Sequence, residues 1–164
     1  MKKKKIQNIA IAAIAAVIIG GIIGYNYYID QITVKGFNFG NELQKIQDNV
    51  KKLQNDYSSK IVQWEEGDLT KEEVLEYSKY HVLEMERIIP RYGELVPPEP
   101  YVSSVELFKL STESQLESDK EFIKWLETGD ESHMIRSDSL IQESFQYELA
   151  ALADYKAAQQ GLKP

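Results

Sequence analysis

Past residue 40 the apolar residues return every three or four positions, the rhythm of amphipathic helices. Leu43, Ile46, Val50, Leu53, Tyr57, Ile61 and Trp64 advance in steps of 3, 4, 3, 4, 4 and 3. This places them on one face and predicts a first helix over 42–65. Asn41 is its expected N-cap, with Gln44 reaching back, and Gly67 helps to end it. A second helix is predicted over 71–89. Thr70-Lys-Glu-Glu73 is a capping box, and Leu69 and Val74 form a hydrophobic staple around it. Leu75, Ser78, Val82, Met85 and Ile89 give the expected inner face, and Pro90 stops or kinks the helix.

A third helix is predicted over 104–128, opened by a capping box from Ser103 to Glu106 and a staple from Val102 to Leu107. Val105, Phe108, Leu116, Phe122, Ile123 and Leu126 form its apolar face, and Gly129 is its C-terminal stop. Asp130 caps a fourth helix over 131–159, lined by Met134, Ile141, Phe145, Leu149, Leu152 and Tyr155. The Gly129-Asp130 joint makes the third and fourth helices antiparallel neighbours. Residues 90–103, with Pro90, Pro97, Pro98 and Pro100, read as a fixed crossover between helices. The competing reading is a polyproline recognition segment. The pattern over 41–164 therefore predicts an all-α fold, an up-down-up-down four-helix bundle.

The chain ahead of the bundle is of another kind. From Ile6 to Ile29 there are 24 residues without a charge, and Ile9 to Gly24 contains only Ile, Ala, Val and Gly. About 20 helical residues cross the roughly 30 Å hydrocarbon core of a bilayer. Lys2, Lys3, Lys4 and Lys5, in a basic stub over 1–5, precede the run; Tyr25, Tyr27 and Tyr28 follow it. Lysines favour the cytoplasmic side and tyrosines the membrane interface. The expectation is a single transmembrane helix over 6–29, N-terminus cytoplasmic, with the C-terminal body outside the cell membrane. A connector over 30–40, with the β-branched and aromatic residues Ile32, Val34, Phe37 and Phe39, would join the two, either extended or prolonging the membrane helix by two turns. The competing reading is a cleaved signal peptide. Its apolar part is usually shorter, and here the small-x-small triplets, such as Ala13-Ile14-Ala15, lie inside the apolar run.

Within that run Asn8, Ala12, Ala16, Gly20 and Gly24 recur every four residues. Small residues at this spacing let helix backbones approach closely, so Ala12, Ala16, Gly20 and Gly24 are the expected contact with other membrane proteins or a second copy. A lipid-facing helix that happens to be rich in Ala and Gly is the alternative.

Charge sharpens the division. The whole chain carries −7, but residues 1–29 hold four basic residues and no acid. Residues 30–164 hold 15 basic and 26 acidic residues, a net −11. An acidic body speaks against nucleic acid as a partner, because phosphates need basic surface. The absence of cysteine excludes disulfides, thiol nucleophiles and thiolate metal sites.

Candidate chemistry is sparse. His81, with Glu84 three residues on, lacks the second Glu-x-x-His that a carboxylate-bridged metal site in a bundle would need. His133, in the first turn of the last helix, reads as solvated. No phosphate-binding glycine loop, nucleophile elbow or calcium loop occurs. The acidic clusters (Glu65-Glu66-x-Asp68, Glu72-Glu73-x-x-Glu76 and Asp130-Glu131) sit at helix ends, where they favour the dipole. Trp64 and Trp125 are expected to fill core ends. One further pattern is serine on inner faces: Ser78, Ser111, Ser114, Ser118, Ser137 and Ser144. These could line a small-ligand cavity, or bond back to helical carbonyls and let helices pack closely. The expected function is a membrane-anchored, non-catalytic accessory or scaffold protein without cofactor or metal, with a small-ligand-binding or sensor bundle as the alternative.

Overall fold

The computed structural model describes residues 34–162, and all long elements in it are helices. Four carry the fold: α1 (Val34–Glu66), α2 (Lys71–Ile88), α3 (Val102–Thr128) and α4 (Glu131–Gln159). A one-turn helix (Pro90–Gly93) and a 3-10 turn (Glu99–Tyr101) lie in the crossover between α2 and α3. The chain is a four-helix bundle. Side-chain pairs fix the direction of its neighbours. Tyr57 meets Ser78 while Gln47 meets Tyr92, so α1 and α2 are antiparallel. Ser111 meets Ser144 while Ser118 meets Ser137, so α3 and α4 are too.

The helix starts show where local signals won and where packing overrode them. Thr70 forms the full capping box with Glu73. Asp130 caps α4 by accepting from the Ser132 N–H at 2.9 Å. Gly129 ends α3 in the left-handed conformation at φ 74°, which an L side chain adopts only with strain.

Two expected starts are corrected. Asn41 is interior to α1, which covers 34–40 of the expected connector. A glycine inside a helix costs about 1 kcal/mol relative to alanine, and α1 contains Gly36 and Gly40. Burial of Phe39, whose ring lies 5.6 Å from that of Tyr101, is worth roughly 1.5–3 kcal/mol and continues the 39, 43, 46, 50 stripe. Ser103 is not a cap either. The 3-10 turn runs straight into α3, so the N–H groups of Tyr101 and Val102 already donate to the carbonyls of Pro98 and Glu99.

The core divides into two apolar clusters. One, near the start of α1, joins Phe39, Leu43, Ile46, Val50, Met85, Ile88, Phe108 and Leu116 to the crossover tyrosines Tyr92 and Tyr101. The other, at the far end, joins Tyr57, Ile61, Val74, Phe122 and Leu126, with Trp64 and Trp125 packed edge to face at 6.3 Å. The expected face of α1 is the face that packs. On α2 the buried line is Val74, Ser78, His81, Met85 and Ile88, while Leu75 and Val82 flank it. On α4 the buried line is Ser137, Leu140, Ser144, Glu148, Ala151 and Ala158. Leu149, expected inside, is 56 % exposed. The reason is the close α3–α4 seam. Two helices joined by two residues press their backbones together, and Ser137, Ser144 and Ala151 fit between them, with Leu140 and Glu148 the larger side chains on the buried line.

Among the described residues no helix is long and apolar enough to cross a membrane. The expected transmembrane segment over 6–29, with Lys2–Lys5, the Ala12/Ala16/Gly20/Gly24 stripe and Tyr25, Tyr27 and Tyr28, lies outside the described residues.

Met85 has no solvent exposure and belongs to the first cluster. Met85→Ala is expected to lower unfolding free energy by about 2–5 kcal/mol in urea denaturation. Ile135→Ala, at a 70 % exposed site, should stay within roughly 0.5 kcal/mol of the parent.

Candidate functional site

Between the two apolar clusters runs a belt of polar side chains contributed by all four helices. Its centre is Asp119 on α3. Asp119 Oδ2 accepts from Gln54 Nε2 of α1 at 2.9 Å and pairs with His81 Nε2 of α2 at 2.8 Å. A carboxylate oxygen can only accept, so the His81 proton at this contact sits on Nε2. His81 is 3 % exposed, and its Nδ1 is buried with no hydrogen-bond partner among the described residues. The imidazole stacks on the Tyr57 ring at 4.2 Å between centroids and 11° between planes. The Tyr57 hydroxyl and Ser78 Oγ meet at 3.1 Å. Burial, and then the charge of Asp119, push the Tyr57 phenol far above its ordinary pKa, so it stays protonated.

The belt continues onto α4 through Ser118, which pairs with both the hydroxyl (3.0 Å) and the carbonyl (2.8 Å) of Ser137. One step nearer the first cluster, Ser111 and Ser144 meet at 3.1 Å. The six inner-face serines thus divide. Ser111, Ser118, Ser137 and Ser144 bond across the α3–α4 seam. Ser78 belongs to the Tyr57 contact and also donates to the Val74 carbonyl, and Ser114 is half-buried.

Behind Tyr57 and His81, on the outer side, a groove of about 720 Å³ opens between α1 and α2. None of the six serines lines it. Its walls carry Lys52 and Lys60 from α1, and Arg87 from α2, with Arg91 just beyond α2. Asp56 and Glu84 are the acids among its lining residues, and Glu84 pairs with Arg87. Tyr77 and Tyr80 stand on it 43 % and 59 % exposed, and the Lys60 ammonium lies 4.6 Å from the centre of the Tyr77 ring. The lining therefore carries four cations against two acids on a body whose net charge is −11. Apolar periodicity could not reveal this groove, because its walls are the polar flanks of two helices.

A second polar centre lies within the first apolar cluster. The Tyr92 hydroxyl accepts from Gln47 Nε2 at 2.8 Å and meets Thr112 Oγ1 at 2.8 Å. Nearby Glu148 is 2 % exposed, and neither carboxyl oxygen has a hydrogen-bond partner among the described residues. Burial pushes its carboxyl up to about 7. No sequence signal marked Glu148, since it looks like one more surface acid beside Leu149. His133, read as solvated, instead bridges to Glu121 of α3 at 2.6 Å. Lys124 and His133 together hold the Glu121 carboxyl below its usual range. Among the described residues no three His, Cys, Asp or Glu side chains converge in a way that could hold a metal ion.

Comparison with family models, with curated proteins and with solved structures returned no match.

Glu148 ties stability to pH. Its folded-state pKa lies above the unfolded value, so the fold favours the protonated form. That contribution is fully present below about 4.5 and is lost as pH rises through about 7. The shift corresponds to roughly 3 kcal/mol. Glu148→Gln should therefore be more stable than the parent at pH 8 by up to about that amount, and nearly equal to it at pH 4. Chemical denaturation at both pH values checks this; equal differences at the two would refute it.

Proposed function

We propose that this chain is a membrane-anchored, non-catalytic accessory or scaffold protein, held as a single-pass protein with its bundle outside the cell membrane. The observation that carries the reading is the uncharged run Ile6–Ile29 between Lys2–Lys5 and Tyr25, Tyr27 and Tyr28. Only four residues separate Ile29 from the start of α1 at Val34, so the anchor would hold the bundle close to the membrane. Ala12, Ala16, Gly20 and Gly24 supply a face for close packing with another membrane helix, of a partner or a second copy. The bundle supports an interaction role rather than a reaction. The buried hydroxyls of Ser111, Ser118, Ser137 and Ser144 are engaged in contacts between α3 and α4, and the buried Gln47 amide in one with Tyr92. His81, the one buried histidine among the described residues, has its Nε2 engaged by Asp119.

A second reading, a ligand-binding bundle, is favoured by the cationic, tyrosine-bearing groove between α1 and α2. Grooves between bundle helices are ordinary places for ligands.

The anchor and the stripe can be tested together. The full chain should resist alkaline extraction from membranes and keep its N-terminal segment in mass spectrometry. Recovery of a soluble chain lacking about the first 29 residues would reject the anchor. In mild detergent it should co-purify with a membrane partner or with itself. Gly20→Ile with Gly24→Ile should abolish that association while leaving membrane retention intact. Unchanged association would remove the stripe from the account.

A further inference from the structure

We propose that the groove between α1 and α2 is a docking trough for an extended acidic peptide segment of a partner protein. The inference does not depend on how the chain is anchored.

Its first support is local charge. Lys52, Lys60, Arg87 and Arg91 face the groove against Asp56 and Glu84, a local excess of two positive charges on a strongly acidic body. Lys52 and Arg91 have no ion pair among the described residues, so both remain open to an incoming anion. The rest of the body repels acidic partners, which leaves this groove as the place where one can rest.

The second support is length. The α1 wall from Asn49 to Lys60 covers 11 helical rises, about 17 Å. An extended chain at about 3.3 Å per residue fills it with about five residues. Lys52 and Lys60 are eight residues apart on α1, about 12 Å, too far for one small anion to touch both. Two carboxylates four residues apart on an extended chain are separated by about 13 Å and match that spacing. Asp56 lies between the two lysines and disfavours a third anion there.

The third support is the aromatic surface. Tyr77 and Tyr80 offer two exposed rings beside the cations, suited to a neutral aromatic or aliphatic side chain at the middle of the segment. At the groove wall, His81 is almost wholly buried and keeps Nδ1 unpartnered. Its Nε2 is held by Asp119, so the wall is rigid before anything binds.

The test uses the full chain in detergent and the fluorescein-labelled peptide Glu-Glu-Ala-Tyr-Glu-Glu, read by fluorescence polarisation. The peptide should bind at concentrations below about 1 mM, and more weakly as salt rises. Lys52→Ala with Arg91→Ala should weaken binding roughly tenfold. Asp56→Asn should tighten it by a few fold, a gain that a merely destabilised fold does not give. Lys109→Ala with Lys156→Ala, away from the groove, should leave it unchanged. Circular dichroism confirms that each variant is folded. The proposal is overturned by no binding, by binding indifferent to Lys52, Arg91 and Asp56, or by polyphosphate binding in the groove where the peptide does not.

Discussion

One carboxylate oxygen joins three of the four helices. Asp119 on α3 receives Gln54 from α1 and His81 from α2 at the same Oδ2, in the layer between the two apolar clusters. A carboxylate with so little access to water must be hydrogen-bonded or it destabilises the fold. Sliding α1 or α2 along its axis would strip Asp119 of a partner. Apolar packing alone tolerates such slips, because one leucine or isoleucine replaces another at modest cost. The belt therefore selects one axial register, and the clusters above and below supply the bulk of the burial.

The same arrangement explains why the two helix pairs look different. On the α3–α4 side, Ser111, Ser118, Ser137 and Ser144 bond across a close seam, and little space remains. On the α1–α2 side the inner contacts are large, with Tyr57 stacked on His81. Bulky rings hold the helices further apart and leave a groove outside them. Register in the belt and open space in the groove are thus two consequences of which side chains are small and which are aromatic.

Much of this fold was legible from residue spacing. The α1 stripe, the Thr70 and Asp130 caps and the Gly129 stop are local, each decided within about one turn, and the chain obeys them. The start of α1 was not legible, because the burial of Phe39 against Tyr101 is a contact between residues 62 positions apart. The inner face of α4 was misplaced by about one position along most of its length. A rule that seeks large apolar residues cannot see a seam of Ser and Ala. The serines were visible as a pattern, but their pairing was not, since hydroxyls that line a cavity and hydroxyls that meet each other look alike in sequence. His81 could be located on α2, yet Asp119 and Gln54 carry no marker that names them as its partners. The groove was hidden for a related reason: its cations come from two helices, and only the antiparallel register gathers them.

Asp119 couples α1 to α3 energetically through Gln54, rather than merely lying near it. A double-mutant cycle on the full chain measures this directly, with unfolding free energies for Gln54→Ala, Asp119→Ala and the double variant. The coupling should be about 1 kcal/mol or more, with the double variant less damaged than the two single losses combined. Additive losses, with a coupling indistinguishable from zero, would contradict it.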